Sequence, residues 1–248
     1  MPDVVANLRV DQAWGGAQIM GAIHHVGTGY YGAGTENLGH PSDSYGYALG
    51  AGLKLNAPMI GAGDYLQLQA NYTEGAMRYA SFTANASYSP ALVNGQSLSW
   101  GWSSDGVYGA IGTAVQLTTA WTVDAAYEHF WNRQWRTSLY GGYLGTSYNA
   151  GANQIICASQ IGAVVAARVG CNENWNQWWI GSRTQWNVTP DTYLGLDVFY
   201  QRLQTATVGL NNPIIASPGG GTTPNGLYNV GDQGQLSFRF RAHKDFYP

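Results

Sequence analysis

Charge is scarce in this sequence: of 248 residues only 10 % are Asp, Glu, Lys or Arg, against about 25 % in an ordinary globular domain. So few charges cover a fully water-facing surface poorly. Long apolar runs are missing too. Mean hydropathy is -0.20 and no stretch of about 20 apolar residues occurs, which excludes a transmembrane helix. The net charge of -3 and the lack of any Lys/Arg run interleaved with aromatics remove the basic footprint of a nucleic-acid binder. Cysteine is reduced to Cys157 and Cys171, with no C-x-x-C and no paired His that would suggest zinc. The pair reads as a disulfide within one loop, which implies an oxidising compartment; two free thiols are the other reading. Met1-Pro2-Asp3 opens without the basic and apolar regions of a secretion signal.

Glycine and aromatics are plentiful: 34 Gly, 17 Tyr and 10 Trp. Low charge, middling hydropathy and many rings together suit a sheet that is apolar on only one face. Nine segments carry that period-two alternation. In the first, Asp3 to Asp11, Val4, Ala6, Leu8 and Val10 oppose Asp3, Asn7, Arg9 and Asp11. The others are Ala17 to His25, Tyr45 to Leu55, Leu66 to Thr73, Thr122 to Phe130, Trp135 to Tyr148, Trp178 to Trp186, Leu194 to Gln201, and Gly234 to Tyr247. The last sets Leu236, Phe238, Phe240 and Ala242 against Ser237, Arg239, Arg241 and His243 and closes on Phe246-Tyr247-Pro248. Each segment has about the 9–11 residues a tilted strand needs to cross a bilayer.

The connections alternate in length. Short turns at Gln12 to Gly16, Asn56 to Gly63, Trp131 to Gln134 and Asn187 to Asp191 are interleaved with Gly/Asn/Ser/Pro-rich loops at Gly27 to Asp43, Gly75 to Ile111, Asn149 to Asn174 and Ala206 to Asp232. A soluble sandwich has no reason for this rhythm, whereas outer-membrane barrels keep short turns on the periplasmic side and long loops outside. Aromatics at segment ends (Trp14, Trp121, Phe130, Trp131, Trp135, Tyr148, Trp175, Trp186, Tyr193, Phe246 and Tyr247) read as girdles at the two membrane interfaces. An aromatic core in a soluble β-protein is the bland alternative. The expected fold is therefore all-β, an antiparallel transmembrane β-barrel domain over residues 1–248 in the outer membrane of a Gram-negative bacterium, with membrane lipid as its partner.

Chemistry in such a wall is electrostatic, since lumen-facing charges filter solutes by size and sign. Alternation puts Arg9, Asp11, Lys54, Asp124, Glu128, Arg136, Arg183, Asp197, Arg239 and Arg241 on the polar face as pore-lining candidates. The bland reading is that many only pair with neighbours or sit at the rims. Catalysis is not expected: no Ser stands at a nucleophile turn, and His40, His129 and His243 are scattered. His24 and His25 point to opposite faces of one strand, which argues against joint metal ligation. Neither cofactor nor metal is expected, and Gly27 to Gly34 and Gly219 to Gly221 read as extracellular loop because neither opens a helix or carries the Lys of a phosphate loop.

Five runs resemble the general-diffusion porins of alphaproteobacteria such as rhizobia and brucellae: Asp3 to Gly15 (DVVANLRVDQAWG), Gln116 to Trp121 (QLTTAW), Trp131 to Tyr143 (WNRQWRTSLYGGY), Ile180 to Asn187 (IGSRTQWN) and Phe238 to Pro248 (FRFRAHKDFYP). The resemblance implies a 16-stranded barrel, usually a homotrimer, through which ions and small hydrophilic solutes diffuse passively. Nine strands depart from that number. The expectation is the C-terminal part of a longer porin, with the family's signal peptide, first strands and constriction loop preceding Asp3. Nine strands cannot close antiparallel, because the first and last would meet in parallel. A carbohydrate-binding or adhesive outer-surface β-protein is the alternative; it accounts for the rings but not for the loop rhythm.

Overall fold

The computed structural model describes residues 2–32, 36–81, 90–159, 171–206, 213–216 and 226–246. Nine strands form one sheet in strict chain order: β1 (Val4–Gln12), β2 (Gly15–Val26), β3 (Ser44–Asn56), β4 (Tyr65–Glu74), β5 (Thr119–Phe130), β6 (Trp135–Ser147), β7 (Trp175–Thr189), β8 (Thr192–Gln204) and β9 (Gln233–Lys244). Every neighbouring pair is antiparallel. The nine alternating segments thus become nine strands, most extended by a residue or more at their ends. β1 and β9 do not pair with each other, so the described sheet is an open wall and not a closed barrel. Every residue of β1 is exposed, as are most of β9, as befits edge strands with one neighbour each. No helix among the described residues is long and apolar enough to cross a membrane.

Because side chains alternate across a pleated strand, the registers assign each residue to one of two faces. The outer face carries Leu8, Ile19, Val123, Leu139, Ile180, Leu196, Phe238 and Phe240, all exposed. Rings bound this apolar band at both ends. At the long-loop end Tyr47 lies beside Tyr72 and Trp121 stacks on Tyr143 with centroids 5.1 Å apart. At the short-turn end Trp135 and Trp186, paired across β6 and β7, stack within 5° of parallel at 5.7 Å. The two belts lie about ten residues apart along a strand, roughly 25 Å once tilt is allowed for, the height of an outer-membrane apolar band.

The girdle expectation needs correcting in part. Trp121, Trp135 and Trp186 face outward, Trp14 and Trp131 lie exposed in short turns, and Phe246 is exposed beyond β9. Phe130, Tyr148, Trp175 and Tyr193 instead lie on or against the inner face: Tyr148 and Trp175 are buried in the core cluster, and Tyr193 stacks on His243. Tyr247 lies outside the described residues, as do Gly219 to Gly221.

The long connections are also more ordered than loop readings suggest. Within residues 149–174 a helix, α1 (Ala150–Ser159), begins where the Asn149 side chain accepts the Ala152 N–H at 2.8 Å, an N-cap. Cys157 and Cys171 are joined, with Cα atoms 6.2 Å apart, tying α1 to the approach of β7. The largest departure is the connection between β4 and β5, described at residues 75–81 and 90–118. These described residues fold inward, where Met77, Ala80 and Val107 form a buried core with Ala120, Leu144, Trp175 and Leu203 of the wall and Ile156 of α1.

Candidate functional site

The inner face is where the polar chemistry gathers. Across the middle of the wall one register row runs Arg9, Gln18, Gly52, Gln69, Asp124, Gly142, Trp179, Gln201 and Gln235 from β1 to β9. The row next toward the short turns holds Asp11, Lys54, Gln67, Tyr140 and Phe199. Further down come Tyr65, Glu128, Ser138, Arg183, Asp197 and Arg239, and then Arg136, Gln185 and Arg241. All ten charged residues singled out in the sequence therefore lie on one face.

They fall into three groups. Arg9, Asp11, Lys54 and Asp124 line a cavity of about 630 Å³ with Gln69, Tyr140 and Trp179. Within it Arg9 Nε pairs with Asp11 at 2.8 Å, both side chains being solvent-accessible, and Lys54 Nζ sits 4.4 Å over the Tyr65 ring. Asp124 makes no ion pair among the described residues; its carboxylate and the Trp179 ring meet above Gly142, where a Cβ would lie 2.3 Å from Asp124 Oδ1 and 2.5 Å from the ring. Only a glycine lets both reach over that strand. In the second group Glu128 is buried and Arg136 half-buried: Glu128 accepts the Ser138 hydroxyl and pairs with Arg136 at 3.3 Å, a charge contact lacking hydrogen-bond geometry. In the third, register sets Asp197 directly between Arg183 and Arg239, with Arg241 two residues along β9.

Scanning for charge misses an amide ladder on the same face: Gln177 Nε2 donates to Gln201 at 2.8 Å, and Gln201 Nε2 to Gln235 at 2.9 Å. The same alternation that selected the charges would have selected these glutamines, had uncharged residues been counted.

At the long-loop end the inner face is covered by described residues of the connection between β4 and β5. The Trp102 carbonyl accepts the Trp175 indole N–H at 2.7 Å and the Tyr148 hydroxyl; the Trp100 carbonyl accepts the Ala206 N–H at 2.8 Å, and the Trp100 N–H donates to Thr205 Oγ1 at 3.1 Å. Within the segment Ala91–Asn94 pairs with Ser97–Trp100, which runs parallel to Gly226–Val230 and so joins the segment to the connection before β9.

A two-faced meander with belts of rings outside and charges inside is the observation that decides the kinship. The model of the Porin subfamily matches residues 1–233. The chain belongs to the porin family. The crystal structure of the outer membrane channel DcaP of Acinetobacter baumannii is similar in fold, with a TM-score of 0.51 at 11 % identity, and the match covers 97 % of this chain and 52 % of that one. This porin chain thus spans about half the length of that channel. No curated protein matches the sequence. Family and wall place the porin in the Gram-negative outer membrane.

Proposed function

We propose that the chain forms part of the wall of a water-filled outer-membrane channel for passive diffusion of ions and small hydrophilic solutes. The single observation that carries this is the two-faced wall: the belted apolar exterior suits lipid, and the interior holds ten charged residues and a row of amides. The ten residues are proposed pore-lining groups, and the reaction class is transport, not catalysis.

The open edges support a larger wall. An unpaired strand edge in hydrocarbon leaves several kcal/mol per unsatisfied group. β1 and β9 run the same way, and an antiparallel barrel needs an even total, so the completing strands are odd in number. Seven would give the sixteen that the resemblance to alphaproteobacterial general-diffusion porins implies, and the same resemblance supports a homotrimer. The described residues 75–81 and 90–118, packed on the inner face, support a narrowing within this chain, whereas the resemblance implied a constriction loop preceding Asp3. The adhesive alternative is not favoured, because the stacked rings lie in belts on the outer face.

Planar-bilayer recordings test the reading. Discrete conductance steps, with a reversal potential that shifts when Asp124 or Arg239 is changed, are the expected result. Absence of steps from the protein and from a version extended by the upstream coding sequence would sink it.

A further inference from the structure

The cavity lined by β1 to β7 lacks the charge of an ion site. Its two cations and two anions sum to zero, and they are satisfied unequally. Arg9 and Asp11 pair at 2.8 Å, whereas Lys54 rests over the Tyr65 ring and the half-buried Asp124 carboxylate accepts no hydrogen bond among the described residues. Lys54 and Asp124 stand two strands and two residues apart in register, about 12 Å between Cα atoms, and form no ion pair. The Gln18 amide, in the same register row as Asp124, likewise has no partner among the described residues. That row is also hollow at Gly52. A Cβ there would meet nothing nearer than the Leu68 carbonyl oxygen at 3.9 Å, so packing does not demand this glycine as it demands Gly142, and the missing side chain is volume added to the cavity.

These groups need opposite partners. A carboxylate only accepts, an ammonium only donates, and an amide does both. A simple ion serves one of the charged groups and is repelled by the other. A hydroxyl both donates and accepts, so a solute carrying several hydroxyls serves all three at once. The β6–β7 side of the cavity adds a second requirement, because Tyr140 and Trp179 make it aromatic, and the Trp179 ring meets the Asp124 carboxylate above Gly142. A sugar ring turns C–H bonds outward on one face, and their weakly positive hydrogens suit the negative face of an aromatic ring. At about 630 Å³ the cavity falls within the range of about 300–1,000 Å³ for small-molecule sites.

We propose that this cavity binds a neutral mono- or disaccharide, its ring against Trp179 and Tyr140 and its hydroxyls shared among Asp124, Gln18 and Lys54. The inference rests on the channel reading for its setting in a pore and names the solute class held there; the binding itself needs only β1 to β7. A weak site of this kind suits passage, since a solute must be held well enough to enter and loosely enough to leave.

Equilibrium dialysis of radiolabelled maltose against the purified protein, in micelles of a detergent without a sugar headgroup, tests the site. Binding should saturate in the millimolar range and be displaced by glucose, but not by equal concentrations of tetramethylammonium, acetate or betaine. Gly52→Leu, whose side chain enters the cavity, should weaken binding about tenfold or more while far-UV circular dichroism stays that of the native sheet. Asp124→Asn, which keeps the shape of the side chain, should weaken it about fivefold, the difference between a charge-assisted and a neutral hydrogen bond. Should Gly52→Leu fail to fold, Asp124→Asn carries the test. No saturable binding, native affinity in a folded Gly52→Leu or in Asp124→Asn, or displacement of maltose by tetramethylammonium overturns the sugar site. Planar-bilayer recordings separate the two readings: saturable maltose binding by a protein that gives no current steps keeps the site and removes the channel, and steps without binding remove the site and keep the channel.

Discussion

Gly46 of β3 and Gly75 at the end of β4 touch backbone to backbone: a Cβ on Gly46 would lie 2.2 Å from the Gly75 carbonyl oxygen, and Gly75 itself holds φ +68. The chain leaves the wall at this crossing and turns inward instead of continuing outward as a loop. One glycine clears the path and the other makes the turn, a left-handed conformation that costs other residues strain.

Adding a methyl at this crossing should cost stability. Gly46→Ala is expected to lose roughly 1–3 kcal/mol, the usual range for overpacking. The temperature at which the folded band converts to the unfolded one on an unheated-to-heated gel series should drop. An unchanged conversion temperature would mean that the segment leaves the wall by another route.

Asp64, in the turn between β3 and β4, anchors the short-turn end of β5. Its buried carboxylate accepts the Tyr127 hydroxyl at 2.5 Å, His129 Nδ1 lies 2.7 Å away, and the Phe130 N–H donates at 2.9 Å. Burial pushes this carboxyl up, but the Tyr127 hydroxyl, the Phe130 N–H and His129 together outweigh it and hold the group at about 2. With the folded value depressed, the stabilisation is complete above the ordinary carboxylate range near pH 4 and disappears as pH falls through about 2. Asp64→Asn should therefore lower thermal stability at pH 7 and narrow its gap to the native protein at pH 2, as followed by circular dichroism. Parallel pH curves for the two proteins would refute this.

Reducing the Cys157–Cys171 bond should loosen the connection before β7 without opening the wall. The bridge closes a 14-residue separation, for which chain entropy alone gives about 3 kcal/mol. Protease cutting between residues 150 and 174 should accelerate in reductant, while far-UV circular dichroism stays that of an intact sheet. Loss of the sheet signal on reduction would show that the bridge supports the wall itself.

Neighbouring residues on β5 test the two faces. Val123 points outward into the apolar band and Asp124 inward to the cavity. Val123→Lys should impair insertion into lipid vesicles by about 2–4 kcal/mol, the cost of a Lys near the bilayer midplane. Asp124→Lys should insert normally and move the reversal potential toward anions. Equal insertion defects in both variants would contradict the assignment of faces.

Much of the wall was legible because its signal is local. Alternation of period two depends only on a residue and its neighbours, so Arg9, Gln18 and Asp124 could be set on a polar face and Leu8, Ile19 and Val123 on an apolar one before any pairing was known. The short turns were equally visible. The girdles were half legible: Trp135 and Trp186 stand at strand ends and face lipid, but Tyr148 and Trp175 stand at strand ends and face a core, and position along the chain does not distinguish the two.

By itself the sequence determined the nine segments that form the wall, the face taken by the side chains within their alternating stretches, and the alternation of short and long connections. Tertiary structure alone decided which face the described residues of the connection between β4 and β5 cover. That outcome depends on groups remote in the chain, Trp102 meeting Trp175 and Tyr148, Trp100 meeting Thr205, Asp105 meeting His24, and on the bare backbone of Gly46 where Gly75 crosses it. Contacts of such separation leave no periodic trace in the sequence. They form only when the wall has brought the ends of its strands together.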